Sequence, residues 1–522
     1  MPARPSTSEI TPGLPERLPL HDGAASRVAE QRAAAVLPPH TLMQRAGTAL
    51  ARLALALAPH ARHVWVATGP GNNGGDGWLA AAWLRQAGRR VSVAELGDTA
   101  HLPDDARWAR AQALAAGVPV THAPQPPADA DLLVDALLGL GSRRAPQGLL
   151  AAAIGALNAH GAPVLAVDLP SGLHADTGQP LGDAVVQADH TLALLTLKPG
   201  LFTGHGRDLC GRVWFDALDV PADTAAATAW RGGGAAARAL AGARRHAQHK
   251  GSFGDVMVVG GAAGMTGAAW LCAAAALAAG AGRVHVDLLA GAQAHAGWPE
   301  LMLRPGLSED DDALAGATVA CGCGGGEAVL QRLPRVMAVA PRLVLDADAL
   351  NTLAAHAQLR DALAQRAARG QHTLLTPHPL EAARLLGSSA AEVQQDRMAA
   401  AQALAERLQC AVLLKGSGTV IAGPGRLPAI NPTGNALLAS AGTGDVLAGW
   451  AAGLWSASAA DIDEAQAVGT AAAWLHGHAA DRAAAAGRRA PLLASQLVAA
   501  LPATLHRPGA TTPPVREAHR RA

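Results

Sequence analysis

Tyrosine is absent from all 522 residues. That removes every mechanism built on a phenolic acid, Tyr–Lys dehydrogenases among them. Cysteine occurs only at Cys210, Cys272, Cys321, Cys323 and Cys410. Five scattered thiols do not make a disulfide framework, and Cys321-Gly-Cys323 lacks the second pair that a zinc site needs. The formal net charge is +1, so no nucleic acid is expected as a partner. The opening MPARPSTSEITPGLPERLPL has Pro and charge where a signal peptide needs an apolar core, so a cytoplasmic protein with a disordered lead over 1–19 is expected. One uncharged stretch, Val256 to Gly282, is long enough to cross a bilayer, but its six glycines split it into strand, loop and Ala-rich helix. No membrane partner is expected. Lysine is the scarcest charge: Lys198, Lys250 and Lys415 are three of 42 basic residues, leaving 39 arginines. In so Arg-biased a chain these positions mark sites where a compact ammonium is needed.

What is present is glycine-punctuated α/β alternation. At this length more than one core is required. Residues 24–59 read as helix around LMQRAG, followed by a strand over His63 to Ala67, the loop TGPGNNGGDG and a helical run WLAAAWLRQAG. Further strands, at Arg90 to Leu96, Asp131 to Val134, Val164 to Val167 and Thr191 to Leu197, end in loops bearing Asp135, Asp168 and Lys198. A second series follows at Asp255, Arg283, Ala317, Arg342, His372 and Ala411, with helical patterns from Val446 to about Leu501. The reading is two doubly wound domains at 20–220 and 243–507, an Ala/Gly-rich linker at 221–242 and a disordered tail at 508–522. A homo-oligomer is expected, the apolar stretch 42–57 serving as core or interface.

In such sheets ligands bind beyond the carboxyl ends of the strands. Gly69-Pro-Gly71-Asn-Asn-Gly74 fits GxGxxG with Glu95 closing the next strand, a weak dinucleotide fingerprint that leaves Asn73, Gly75 and Asp76 unexplained. Asn73, Asp135 and Ser171 offer oxygen ligands of low charge, suited to a monovalent cation. Asp135 and Asp168 serve equally well as simple caps of the turns after their strands. GPGNNGGDG, VDALLG, the loop 139–145 and VDLPSGLHADTG together resemble the NAD(P)H-hydrate epimerase domain, over residues 20 to 220. The resemblance implies interconversion of the R and S hydrates of NADH and NADPH, with potassium at Asn73, Asp135 and Ser171. The substrate would be held by Asn72, Asn73, Gly74, Gly75 and Asp76, by Gly139, Leu140, Gly141, Ser142, Arg143, Arg144 and Ala145, and by Asp168, which would also be the acid/base. Leu140 and His174 stand where the family often has Thr and Asp.

The second half is centred on NPTGNALLASAGTGDVLAG, from Asn431 to Gly449. Gly442 and Gly444 let main-chain amides converge on an anion at a helix start, beside Asp445. Asp445 is a candidate base for a hydroxyl receiving a phosphoryl group, and a common capping acid otherwise. No GxxxxGK[ST] is present, which excludes a P-loop enzyme. Asp346-Ala-Asp348 fits a metal pair, or one metal ligand and one turn-closing acid. With Lys250-Gly-Ser-Phe-Gly, GMTG, CGCGGG, DADALN, TPHP and KGSGT, this stretch resembles the ADP-dependent NAD(P)H-hydrate dehydratase, a branch of the ribokinase-like fold, over residues 240 to 505. The resemblance implies phosphorylation of the S hydrate by ADP with magnesium, then loss of phosphate, giving AMP and NAD(P)H. Asp445 would be the base and would also contact the hydrate. Ala268, Gly324 and His378 would line the hydrate site, while Lys415, Gly416, Ser417, Gly418, Thr419 and Gly444 would hold the nucleotide. Ala441 and Cys323 replace the usual Gly and Pro. The alternative is a ribokinase-like vitamin-precursor kinase with a regulatory first domain.

Overall fold

The computed structural model describes residues 7–98, 100–240, 244–291, 297–456 and 462–505. It resolves into two compact units, 1–233 with 377–432, and 234–376 with 433–522.

In the first unit the strand order is Thr7–Glu9, Arg212–Asp216, His190–Leu194, Val164–Val167, Leu132–Ala136, His63–Thr68, Arg90–Glu95, Val120–Thr121. All neighbours run parallel except Thr7–Glu9. Parallel strands covered on both faces read as unbroken apolar runs, and His63–Thr68 is buried at every position. The order reverses between His63–Thr68 and Leu132–Ala136, so their carboxyl ends diverge and leave a crevice. Gly69 and Gly74 shape its rim. A Cβ on Gly69 would lie 1.8 Å from the Leu137 carbonyl oxygen, and one on Gly74 2.1 Å from that of Gly69. The expected helix over 24–59 is two, Gly23–Val36 and Thr41–Leu57, because Leu37-Pro-Pro interrupts it. Thr41–Leu57 turns Met43, Ala46, Leu50, Leu53 and Ala54 into the core, so this face is already spent within the unit.

The lead and linker readings need correction. Thr7–Glu9 pairs with Arg212–Asp216, and Leu18–Leu20 with Ala229–Arg231, so the described part of 1–19 is not a loose lead. Residues 221–240 are likewise built. Ala229–Arg231 also pairs with Ala429–Ile430, and Gly234–Leu240 is a helix. Alternation cannot show in strands of three residues, which is why composition misread both. The tail 508–522 lies outside the described residues.

The second unit carries Met302–Leu303, Arg283–Leu288, Asp255–Gly260, Ala317–Cys321, Arg342–Leu345 and His372–Leu375, in that order and all parallel. Helix Thr266–Ala278 packs against Thr443–Trp455. Their approach depends on Gly449, where a Cβ would sit 1.9 Å from the Cys272 carbonyl oxygen. No described helix is long and apolar enough to cross a membrane.

Candidate active sites

The crevice of the first unit opens into a cavity of about 1000 Å³. One wall is the first turns of helix Asn72–Gln86, carrying Asn72, Asn73 and Asp76. The loop 139–145 forms another, with Arg143 and Arg144 exposed at its mouth. The floor holds Asp168 and Lys198. Asp168 adopts φ +65°, in the left-handed region that side-chain-bearing residues rarely occupy, and Leu195 on the neighbouring strand end does the same at +62°. These bends bring the Asp168 carboxylate onto the Lys198 ammonium. Lys198 Nζ also donates to the carbonyl oxygens of Leu194 and Thr196, 2.9 Å each, and is 2% exposed. All three of its protons are therefore committed, one of them to Asp168.

Three more carboxyls line the cavity, those of Glu30, Asp76 and Asp105. Burial, then the Asp168 charge, raises the pKa of Glu30. The same two causes, followed by Glu30, push Asp76 well above the ordinary carboxylate range. One wall of the cavity thus favours protonated acids while the floor holds a carboxylate on a fixed cation. Glu30 lies in no motif and is invisible in the sequence. Lys198 was signalled by the rarity of lysine and by its loop at a strand's carboxyl end.

Asp135 is completely buried, and burial raises it to about 6. It accepts from Ser171 N at 2.8 Å, Ser171 Oγ at 2.6 Å and Leu137 N at 3.2 Å. Leu138 N donates to Ser171 Oγ at 2.8 Å. The structure thus joins Asp135 to Ser171. Asn73 packs against Gly139, and its buried amide nitrogen has no hydrogen-bond partner among the described residues. Glu95, the fingerprint acid, is 5% exposed and held by Arg110 Nε and Nη2 at 2.5 and 3.1 Å. It is spent in an ion pair, so nothing beyond glycine spacing supports the dinucleotide fingerprint.

In the second unit, Asp445 sits in the first turn of Thr443–Trp455, whose N-cap, Gly442, has φ +87°. A helix start carries partial positive charge on its first-turn amides, and this acid lies in that turn. Ala441 is not among the residues with positive φ, so its methyl is accommodated. Asp445, Asp346 and Cys323 place a ligand atom each within 4.8 Å of one another. Asp346 and Asp348 part company: Asp346 joins this cluster, while Asp348 accepts from Gly326 N at 2.8 Å and closes a turn. Ala268 and Gly324 are neighbours, a Cβ on Gly324 falling 3.0 Å from that of Ala268.

His378, Lys415 and residues 416–419 belong to the first unit. His378 caps helix Pro379–Leu386, its Nδ1 accepting from Leu380 N and Glu381 N, with Nε2 3.3 Å from Glu381 Oε1. Lys415 Nζ stands 3.9 Å from Glu381 Oε2. Ser417 Oγ donates to the Gly204 carbonyl at 2.9 Å, and Thr203 Oγ1 to that of Gly418 at 3.1 Å. Gly416 and Gly418 take φ of +138° and +61°, which explains the glycines of this loop.

Residues 256–503 match the family model described as NAD(P)H-hydrate dehydratase, and residues 39–200 the YjeF-related protein N-terminus. Among curated proteins, the bifunctional NAD(P)H-hydrate repair enzyme Nnr of Escherichia coli strain K12 is 38% identical over 479 residues, covering 88% of each chain. The bifunctional NAD(P)H-hydrate repair enzyme of Leishmania major is 36% identical over 508 residues, covering 90% of each. Among solved structures, the ADP/ATP-dependent NAD(P)H-hydrate dehydratase of Bacillus subtilis, co-crystallised with ATP and Mg2+, is 31% identical. It covers 51% of this chain and 94% of its own, with a TM-score of 0.43.

Proposed function

The chain belongs to the family of bifunctional NAD(P)H-hydrate repair enzymes, and on that premise we propose how its residues divide the work. The epimerase half interconverts the R and S hydrates of NADH and NADPH. The nucleotide-dependent dehydratase half returns the S hydrate to NAD(P)H, with ADP as donor and AMP and phosphate as products. The observation that carries the epimerase assignment is the Asp168–Lys198 pair at the floor of a cavity walled by two acids whose pKa values burial raises. Asp168, held in place by the ammonium, takes a proton from the hydrated ring or its hydroxyl. Glu30 and Asp76 are the candidate donors on the opposing wall. Arg143 and Arg144 at the mouth suit the substrate's phosphates.

Asn73, Asp135 and Ser171 fit potassium. Asp135 is a wholly buried carboxylate that among the described residues accepts from a hydroxyl and main-chain amides, and a flipped Asn73 amide would turn an oxygen where its nitrogen now lies. Bound there, the cation would neutralise Asp135 and brace the turns that carry Ser171 and the 139–145 loop. In the dehydratase half Asp445 takes the proton of the ring hydroxyl as the phosphoryl group arrives. The amides of residues 442–444 bind the charge that develops. Magnesium would supply further charge neutralisation there. The Lys415–Thr419 loop, with one ammonium and glycine-freed amides, has the chemistry of a nucleotide-phosphate holder.

Mixed hydrate epimers incubated with ADP or ATP test the assignment through recovery of the nicotinamide absorbance. Wild-type chain is expected to consume both epimers and release free phosphate. Asp168→Asn should consume the S epimer alone, and Asp445→Asn neither, while still exchanging them. A stable phosphomonoester without recovered absorbance would establish the kinase reading instead.

A further inference from the structure

The second unit sets a thiol that dehydration does not require beside the acid proposed as its base. Cys323 Sγ, a carboxylate oxygen of Asp346 and one of Asp445 all lie within 4.8 Å of one another. They come from three separate segments: the loop after strand Ala317–Cys321, the end of strand Arg342–Leu345, and the first turn of helix Thr443–Trp455. Each position is fixed locally. Cys323 is 1% exposed, and its carbonyl accepts from Gly261 N at 3.0 Å. Asp346 is 2% exposed and accepts from Thr376 Oγ1 at 2.9 Å. A second thiol, Cys272, shares a hydrogen bond with Cys323 from helix Thr266–Ala278 and is fully buried. The site therefore has three donors in place, a fourth behind them, and one opening, at the partly exposed Asp445.

The chemistry of this set selects its ligand. Magnesium takes oxygen ligands at near-octahedral geometry, so a sulfur donor at the centre of the cluster disfavours it. A thiolate with two carboxylates suits a tetrahedral ion of the zinc class, with Zn–S about 2.3 Å and Zn–O about 2.0–2.2 Å. Ligand atoms around such an ion lie roughly 3.3–3.7 Å apart, a contraction of about 1 Å from the present spread, within the reach of side-chain rotation. We propose that Cys323, Asp346 and Asp445 bind one thiophilic divalent cation, and that its occupation takes Asp445 out of use as the base of dehydration. Binding forms the metal–sulfur bond and releases the Cys323 proton to solvent, while Asp445 exchanges its proton-accepting oxygen for a metal bond. The inhibitory half of this inference rests on the assignment of Asp445 above; the binding half does not.

The test separates the two. Nucleotide-free full-length chain is titrated with Cd2+ while the ultraviolet thiolate–Cd2+ charge-transfer band is followed. Dehydration and epimer exchange are then assayed at free Zn2+ levels set by a metal buffer, with Mg2+ present throughout. Wild-type chain is expected to show the band saturating at one equivalent and to lose dehydration as Zn2+ rises, with epimer exchange unchanged. In Cys323→Ala the band should vanish, and the Zn2+ level that halves dehydration should rise about tenfold or more. Asp346→Asn keeps all five thiols and should weaken Cd2+ binding about tenfold or more, which guards against a Cys323 variant that does not fold. An undiminished band in Cys323→Ala, or undiminished affinity in Asp346→Asn, overturns the site. Inhibition reversed by a thiol reductant and not by a chelator overturns it as well, by identifying oxidation of the Cys272–Cys323 pair. One-equivalent binding in a chain that shows no dehydration even metal-free would uphold the site and refute the role given to Asp445.

Discussion

At Lys198 the ammonium has three acceptors and a 2% exposed position, so its replacement leaves more than an empty space. In Lys198→Met, the Asp168 carboxyl loses its ion-pair partner at the cavity floor, and two carbonyls lose their donor. Breaking a buried pair from one side costs about 3–5 kcal/mol. We expect a clear fall in melting temperature together with loss of epimer exchange. Lys198→Arg should not restore exchange, because a planar fork cannot reach three convergent acceptors as a compact ammonium does. Exchange within tenfold of wild type in Lys198→Arg would show that only charge matters there. Glu30 and Asp76 give a pH signature of definite sign. Their folded pKa values are raised above 4.5 and 3.8, so the native chain holds more protons than the unfolded one just above those values. Stability contributed by these groups is therefore present at low pH and lost as pH rises through the raised values. Glu30→Gln and Asp76→Asn should flatten that descending limb in melting temperature against pH. A difference curve between wild type and the double variant that is level across this window would contradict the burial assigned to them.

Between elements, the contact that positions Asp445 is helix against helix. Gly449→Ala gains roughly 1 kcal/mol of helix propensity, but its methyl meets the Cys272 carbonyl oxygen at 1.9 Å, a backbone atom that cannot rotate away. Overpacking of this kind costs about 1–3 kcal/mol, so repulsion wins and Thr443–Trp455 must shift with Asp445 on it. Dehydration should fall in kcat more than in KM, with epimer exchange intact; equal loss of both activities would point to general unfolding. The same scale shows what a sequence can and cannot display. Strands such as Val164–Val167, and Arg342–Leu345 after its first residue, were legible because parallel strands buried on both faces read as apolar runs. The break between Gly23–Val36 and Thr41–Leu57 is written in Pro38-Pro39, within an otherwise helix-favouring, alanine-rich stretch. Motif loops announced Asn73, Asp135, Asp168 and Asp445 because glycine spacing fixes where backbone must bend. Glu30 gave no such sign: a helix acid becomes functional only through what the fold sets opposite it. His378 was legible as rigid, yet part of its rigidity is spent capping its own helix.

For the whole chain, the question is why two activities share one polypeptide. The epimerase cavity lies wholly within the first compact unit and the Asp445 cluster wholly within the second. Neither set of reacting groups borrows a side chain from the other, so each reaction can be removed without touching the residues of its neighbour. A dehydratase selective for one epimer exhausts that epimer and stalls unless the other is converted, and the stall is what discriminates passing of substrate within a chain from free diffusion. Asp168→Asn chain should consume the S fraction rapidly and then stop. Adding an equal amount of Asp445→Asn chain, whose epimerase cavity is unaltered, should restart consumption of the remainder. If the hydrate diffuses freely, the restarted rate will match that of wild-type chain at the same concentration of each intact site, and it will be unaffected by dilution once corrected for site concentration. A mixture that stays well below the wild-type rate, and falls further behind on dilution, would instead require the two sites to be joined covalently for the epimer to pass efficiently from one to the other.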